Sequence, residues 1–207
     1  MRILFATRNP SKVALFRPVF AGYGLEVVSL RDAPDLPSAE EDGHTVVENA
    51  LAKARLHHGA AYSWTFGDDA ALEIDALGGE PGVQARRWGG LLPAGISDEE
   101  WLDYLLRRLD GVPPERRTAR WVAGWALVAP DGSAHVHQVV TPFRIGVHPV
   151  RPISPGWPMS ALGVGTHSDP IARQGDVVAE FRAWGVLERL LPHVSDRPTR
   201  PTVSTEE

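Results

Sequence analysis

Two carboxylates stand side by side at the end of Phe66-Gly67-Asp68-Asp69, a segment expected to be a strand. Neighbouring carboxylates repel when both are ionised unless a cation or strong donors lie between them. A hard ion such as Mg²⁺, which prefers oxygen ligands and keeps several waters, suits such a pair, although acidic pairs also occur in ordinary turns. Nearer the N-terminus, Thr7-Arg8-Asn9-Pro10-Ser11-Lys12 follows an apolar run and leads into a helix. A strand that ends in a polar turn at a helix N-terminus gathers backbone N–H groups and the positive end of the helix dipole, which favours an anion there. Thr7 and Asn9 add donors and Lys12 faces the same spot; the plainer alternative is a helix cap with a surface lysine. Glu40, Glu41 and Asp42 form either a solvated acidic loop or, through one of them, the completion of a metal site. A phosphate site beside a metal site points to an enzyme acting on a nucleotide.

These residues need elements to hold them. Arg2–Ala6 reads as a buried strand, and Asn9-Pro10 as an N-cap with proline at the first helical position. Val13, Phe16 and Phe20 recur at helical spacing, with Pro18 predicting a kink or early break before Gly22. Glu26–Leu30 is the next strand. Thr45-Val46-Val47-Glu48 has the form of a capping box, and Val47, Ala50, Leu51 and Ala54 make one apolar face while Asn49 and Lys53 share another. Ser97-Asp98-Glu99-Glu100 is a second capping box, ahead of Leu102, Leu105, Leu106 and Leu109. Thr118–Ala129 and Ala134–Val140 flank the turn Pro130-Asp131-Gly132-Ser133 and predict a long hairpin. Pro142–Pro170 reads as irregular or edge structure, and a last helix is expected from Asp176 to Leu191. The interleaving predicts an α/β class, with one domain over 1–195 and a disordered tail over 196–207.

The chain has 207 residues, 43% hydrophobic and 23% charged, enough for one substantial core or two small lobes around a cleft. It carries no cysteine, so any metal must sit on carboxylates, histidines or water. Its formal net charge of -5 argues against binding a nucleic-acid polymer, and no stretch is apolar enough to span a membrane. A cytoplasmic protein is expected. His135 and His137 would share a strand face, an arrangement far commoner in ordinary strands than in metal sites; His57-His58 suits a helix end; and Trp101, Trp121, Trp125 and Trp184 fit a core or a dimer surface.

The order and spacing of these elements carry a resemblance. Thr7, Asn9 and Lys12; Glu40, Glu41, Gly43 and Thr45; Glu48, Asn49, Ala50, Lys53 and Ala54; Asp68 and Asp69; Leu72 to Val83; and Arg87, Trp88 and Gly90 together resemble the inosine/xanthosine triphosphate pyrophosphatase (Ham1-like) family. The match covers the first 90 residues closely and Arg117 to Trp121 more loosely. It implies a central mixed curved sheet with flanking helices, two lobes around a substrate cleft, and a homodimer. It also implies a Mg²⁺-dependent hydrolase that cleaves a nucleoside triphosphate between the α and β phosphates. Carried over by position, Thr7, Asn9, Lys12 and Lys53 would hold the triphosphate, with Arg8 a further candidate in the same loop, and Glu40 and Asp69 would bind metal. Asp69 would also activate water, with Asp68 and Lys53 in the catalytic set.

The C-terminal half departs from that pattern. The family's Gly-Phe-Gly-Tyr-Asp-Pro segment has its best counterpart in Gly156-Trp157-Pro158-Met159-Ser160, so Trp157 can stack on a base but Ser160 replaces an aspartate. Val177 stands at a family lysine and Phe181-Arg182-Ala183 at a Ser-His-Arg triplet, leaving Arg182 as a candidate base donor. Arg8 replaces a glycine of the phosphate loop, either adding a phosphate contact or filling the loop. Trp157, Ser160 and Arg182 are therefore the expected base site, with altered base specificity. A catalytically weak nucleotide-binding or regulatory paralogue is the alternative.

Overall fold

The structure, a computed structural model, describes residues 1–59, 61–93, 95–162 and 170–191. The strand β1 (Arg2–Phe5) lies parallel between β2 (Glu26–Ser29) and β3 (Thr65–Ile74). Ile3, Leu4 and Phe5 are fully buried, as a strand covered on both faces requires. β4 (Pro81–Gly82) pairs with the far end of β3, and β3 continues antiparallel to β5 (Thr118–Val128), which pairs with β6 (Ala134–Arg144). The result is a curved, open, mixed six-stranded sheet in the order β2-β1-β3-β5-β6, with β4 beside β3. β6 runs past its expected end at Val140 because it stays in register with β5 as far as Arg144 opposite Thr118. It is an edge strand, where Pro142 removes no needed ladder bond.

Helix α1 (Pro10–Gly22) is capped by Asn9 and runs through Pro18 to Gly22, so of the kink or early break expected there the early break does not occur. Phe16, Val19 and Phe20 are buried on both sides of the proline, so packing holds the two halves in one helix despite the missing N–H. Both capping boxes form, at Thr45/Glu48 for α2 (Val46–Leu56) and Ser97/Glu100 for α3 (Asp98–Arg108). The expected helix over 176–191 is instead two, α4 (Pro170–Trp184) and α5 (Val186–Leu190). Gly185 at φ 63° turns the chain left-handed between them, a conformation that glycine adopts without strain. The tail expected over 196–207 lies outside the described residues.

Two apolar cores form along β3. One gathers Phe5, Phe16, Phe20, Phe66, Trp125 and Phe181; the other gathers Leu72, Ile74, Trp101, Leu105, Met159 and Leu162. Phe66 belongs to the first and Leu72 to the second, so Asp68 and Asp69 sit on the stretch of strand between the lobes. No helix among the described residues is long and apolar enough to cross a membrane.

Candidate active site

A cleft of about 730 Å³ opens between the two cores, lined by Thr7, Lys12, Lys53, Asp68, Asp69 and Trp157 among others. Successive strand residues point to opposite faces, which sends Asp68 toward α1 and Asp69 toward α2. Asp68 Oδ2 lies 2.5 Å from Lys12 Nζ, and Asp69 Oδ1 lies 2.7 Å from Lys53 Nζ. Both ammonium groups also lie 3.4 Å from one backbone oxygen, the Asp68 carbonyl, so two cations from different helices converge on a single point of β3. Asp69 Oδ2 accepts from Asn49 Nδ2 at 2.9 Å, one helical turn before Lys53, which fixes the carboxylate from both oxygens.

The helix that delivers Lys53 lies unusually close to the sheet. A Cβ on Gly67 would collide with the Ala50 carbonyl, and one on Gly124 would stand 2.5 Å from the Val46 carbonyl carbon. Gly124 is the partner of Asp69 across the β3–β5 ladder. Lys53, Asp68 and Asp69 are 8%, 5% and 6% exposed, so their ion pairs act in a weakly screened environment. Burial presses the Lys53 ammonium toward its neutral form, but the carboxylates of Asp69 and Glu41 outweigh it, and its pKa ends above the ordinary lysine value.

The acidic loop supplies Glu41, whose Oε1 lies 2.7 Å from Lys53 Nζ. Glu41 lines the cleft, whereas Glu40, the expected metal ligand, is exposed and outside it. Glu41 and Asp69 thus meet at one cation. Mg²⁺ is commonly held by one or two carboxylates together with substrate phosphates, and this pair of hard oxygen donors fits that demand. Among the described residues no group of three or more His, Cys, Asp and Glu side chains is arranged to hold a metal by itself. His137 instead pairs with Glu180 at 2.8 Å and stacks on Trp184, and His135 bonds Ser133.

The turn before α1 is more committed than its sequence implies. Asn9 Oδ1 accepts from the Ser11 and Lys12 N–H groups at 2.9 and 3.4 Å, and Asn9 Nδ2 donates to the Gly156 carbonyl at 3.0 Å. The positive pole therefore reaches the cleft through the helix dipole, the Thr7 hydroxyl and Lys12 Nζ rather than through bare backbone donors. The Arg8 guanidinium turns to the loop ahead of Glu41, donating to the carbonyls of Leu30 at 2.8 Å, Leu36 at 2.7 Å and Pro34 at 3.3 Å. Arg8 also lines the cleft, with these donors turned to the loop.

Trp157 lines the wall of the same cleft with Trp101, Trp121 and Trp125. Of the expected base partners, Ser160 donates its backbone N–H to the Trp157 carbonyl at 3.0 Å, and neither it nor Arg182 lines the cleft. Ser160 is 1% exposed, and its Oγ accepts from the Ser154 N–H at 2.7 Å, holding the turn that carries Trp157. Arg182 is exposed on α4 next to the Tyr23–Glu188 hydrogen bond and does not line the cleft. Val177 does line it, while Phe181 is fully buried in the first core. Sequence reasoning singles out Glu41 only together with Glu40 and Asp42, reads Asn9 and Ser160 as ligand contacts rather than anchors of the Trp157 turn, and assigns Asn49 and Asp98 no role of their own in the site. For Asn49, the i to i+4 spacing to Lys53 was the available signal.

Residues 3–153 match the model of the Ham1 family. A dITP/XTP pyrophosphatase from Symbiobacterium thermophilum is 45% identical over 131 residues, covering 63% of each chain. One from Geobacillus kaustophilus is 43% identical over 128 residues, 62% of this chain and 61% of that one, and one from Nocardia farcinica is 41% identical over 152 residues, 72% of each. The chain thus spans less than two thirds of the length of the first two of these relatives. Among solved structures, a nucleoside-triphosphatase / dITP/XTP pyrophosphatase from Mycobacterium abscessus superposes with TM-score 0.61 at 31% identity, covering 92% of this chain and 98% of that one. A HAM1 protein from Coxiella burnetii shares the fold at TM-score 0.69 and 23% identity, covering 91% and 99%.

Proposed function

The chain belongs to the Ham1 family, and from that premise we propose that it is a nucleoside triphosphate pyrophosphatase, converting a nucleoside triphosphate and water to the monophosphate and diphosphate. The observation that carries this reading is the convergence of Lys12 and Lys53 on the Asp68 carbonyl, each paired with its own carboxylate. Phosphoryl substitution needs positioning and charge neutralisation more than covalent help. Two ammonium groups beside a helix N-terminus supply both.

In this reading Lys12, Lys53 and Thr7 hold the triphosphate, and Asp68 keeps Lys12 aimed at it. Asp69 takes a proton from the attacking water as the water oxygen bonds to the α phosphorus and the bond to the β phosphate breaks. Asn49 and Lys53 orient Asp69 for that transfer through its two oxygens. Glu41 and Asp69 are the residues that would hold Mg²⁺, which supplies neutralisation of phosphate charge when bound. Asn9 shapes the loop as cap and tether, and Arg8 secures the segment leading to Glu41. The alternative of a catalytically weak paralogue drew on Arg8 and on the lost C-terminal motifs; of these, Arg8 spends its guanidinium on the carbonyls of Leu30 and Leu36.

The base end supports a looser specificity than the relatives' names imply. Trp157 offers a π face to any base, and neither Ser160 nor Arg182 presents a donor to a base edge there. A homodimer, from the family resemblance, and a cytoplasmic location, from the sequence reading, complete the proposal. Diphosphate release from a panel of nucleoside triphosphates with Mg²⁺ is the deciding experiment: turnover of several bases supports the reading, and no turnover of any sinks it.

A further inference from the structure

A single peptide group, that of Gly156, is gripped from both lobes. Its N–H donates to Asp98 Oδ2 at 2.7 Å, and its carbonyl accepts from Asn9 Nδ2 at 3.0 Å. Asn9 caps α1, whose Val13 and Phe16 lie in the first core; Asp98 opens α3, whose Trp101 and Leu105 lie in the second. Ser11 Oγ donates to the Pro155 carbonyl at 2.7 Å, and Ser160 Oγ holds the Ser154 N–H. The turn 154–157 is thereby a strap tied to both lobes beside the cleft, and Trp157 is its last residue. Gly156 stands at φ 77°, with space for a Cβ closed by Asn9 Oδ1 at 2.8 Å, so the grip leaves no room for a side chain.

Asp98 does more in this arrangement than open a helix. Its Oδ1 lies 2.5 Å from Arg86 Nη1, and Arg86 Nη2 donates to the Ile96 carbonyl at 2.5 Å. Arg86 lines the cleft. One carboxylate therefore locks a cleft arginine with one oxygen and the strap with the other, through charge-assisted hydrogen bonds, the stronger kind. Among the strap's anchors Asp98 is the one that is charged and that comes from the second lobe.

We infer that Asp98 is a positioning residue for the nucleobase end of the cleft, acting through the Gly156 N–H and Arg86 to hold Trp157 against the base. The inference rests on the nucleotide reading above. A stacked base is held alike in the ground and transition states, so loosening its platform raises KM and leaves kcat in place. It also leaves untouched any ligand that lacks a base.

The test compares nucleoside triphosphates with inorganic tripolyphosphate, which can occupy only the phosphate end. Asp98→Ala should raise KM for nucleoside triphosphates about ten-fold with kcat within about two-fold, while tripolyphosphate inhibits it as it does the wild type. In a Trp157→Ala background the same change should add less than about two-fold, because the ring it positions is gone. If Asp98→Ala does not fold by circular dichroism, Asp98→Asn keeps an acceptor for the Gly156 N–H and should show the same selective pattern at about three-fold. Equal weakening of tripolyphosphate, full additivity with Trp157→Ala, or an unchanged KM would each overturn the inference. A wild type that binds nucleotides without turning them over rejects the proposed activity, and the same comparison is then read from Kd.

Discussion

Asn49 and Asp69 are joined by a buried hydrogen bond of 2.9 Å, Nδ2 to Oδ2, which leaves the other oxygen of Asp69 to Lys53. The carboxylate is thus oriented before any substrate arrives. Asp69→Asn removes the proton acceptor and a metal-holding oxygen together while keeping the shape. Turnover should fall by about 10² to 10⁴ while the chain still folds, with the thermal midpoint lowered by the loss of the buried ion pair to Lys53, measured by diphosphate release and calorimetry on one preparation. Activity close to wild type would reject the role given to Asp69.

Glu41 and Glu40 separate cleanly by experiment. Glu41→Gln should raise the Mg²⁺ concentration needed for half-maximal activity several-fold, because it removes one of two carboxylates that meet at Lys53. Glu40→Gln, at an exposed position outside the cleft, should leave the Mg²⁺ dependence where it was. The reverse ranking would return the metal role to Glu40.

Lys53 gives a pH prediction with a definite sign. Its folded pKa is raised above the unfolded one, so the ion pairs contribute fully below the unfolded value, about 10.4, and are lost as pH climbs through the folded one. Lys53→Met should flatten the alkaline decline of stability in denaturant titrations. It should not abolish the decline, because burial and then the bond to Glu188 raise the Tyr23 phenol as well, and that group loses stability in the same direction. An unchanged alkaline slope in the variant would contradict the assignment.

Arg8→Ala removes donors to three loop carbonyls. Amide exchange in residues 30–41 should quicken and global stability fall by about 1 kcal/mol. Tripolyphosphate binding should be unaltered, since the guanidinium faces the loop. A marked loss of tripolyphosphate affinity would restore Arg8 as a phosphate ligand.

Trp157→Ala should weaken nucleoside triphosphates by roughly 1 to 3 kcal/mol, with similar losses across bases if the ring stacks rather than reads an edge. A loss confined to inosine and xanthosine triphosphates would mean that base-edge contacts persist from residues other than Ser160 and Arg182.

Much of the frame was legible because it is local. Capping boxes at Thr45 and Ser97, the Asn9 cap and the hairpin around Asp131-Gly132 depend on neighbours within four residues, and they formed as read. Asn49 and Lys53 were placed on a face apart from the apolar one, yet both are buried, because the second face of α2 also meets the sheet, at Asp69. What escaped depends on distant partners. Nothing next to Arg8 announces Leu30 and Leu36; nothing near Ser160 says that its hydroxyl holds a turn; and on an aperiodic loop Glu40 and Glu41 cannot be told apart until the chain path is known.

The closeness of α2 to the sheet has a wider meaning. Gly67 and Gly124 are neighbouring-strand positions at which the absence of a side chain sets the distance between helix and strand. They act as a gauge block: the gap between Lys53 and Asp69 is machined by two missing methyl groups that stand next to the charges they bring together. A single carbon added at either place would work as a shim, lifting the whole helix and withdrawing Asn49 and Lys53 in one movement. Tolerance at the reacting centre is therefore inherited from positions with no functional atoms of their own.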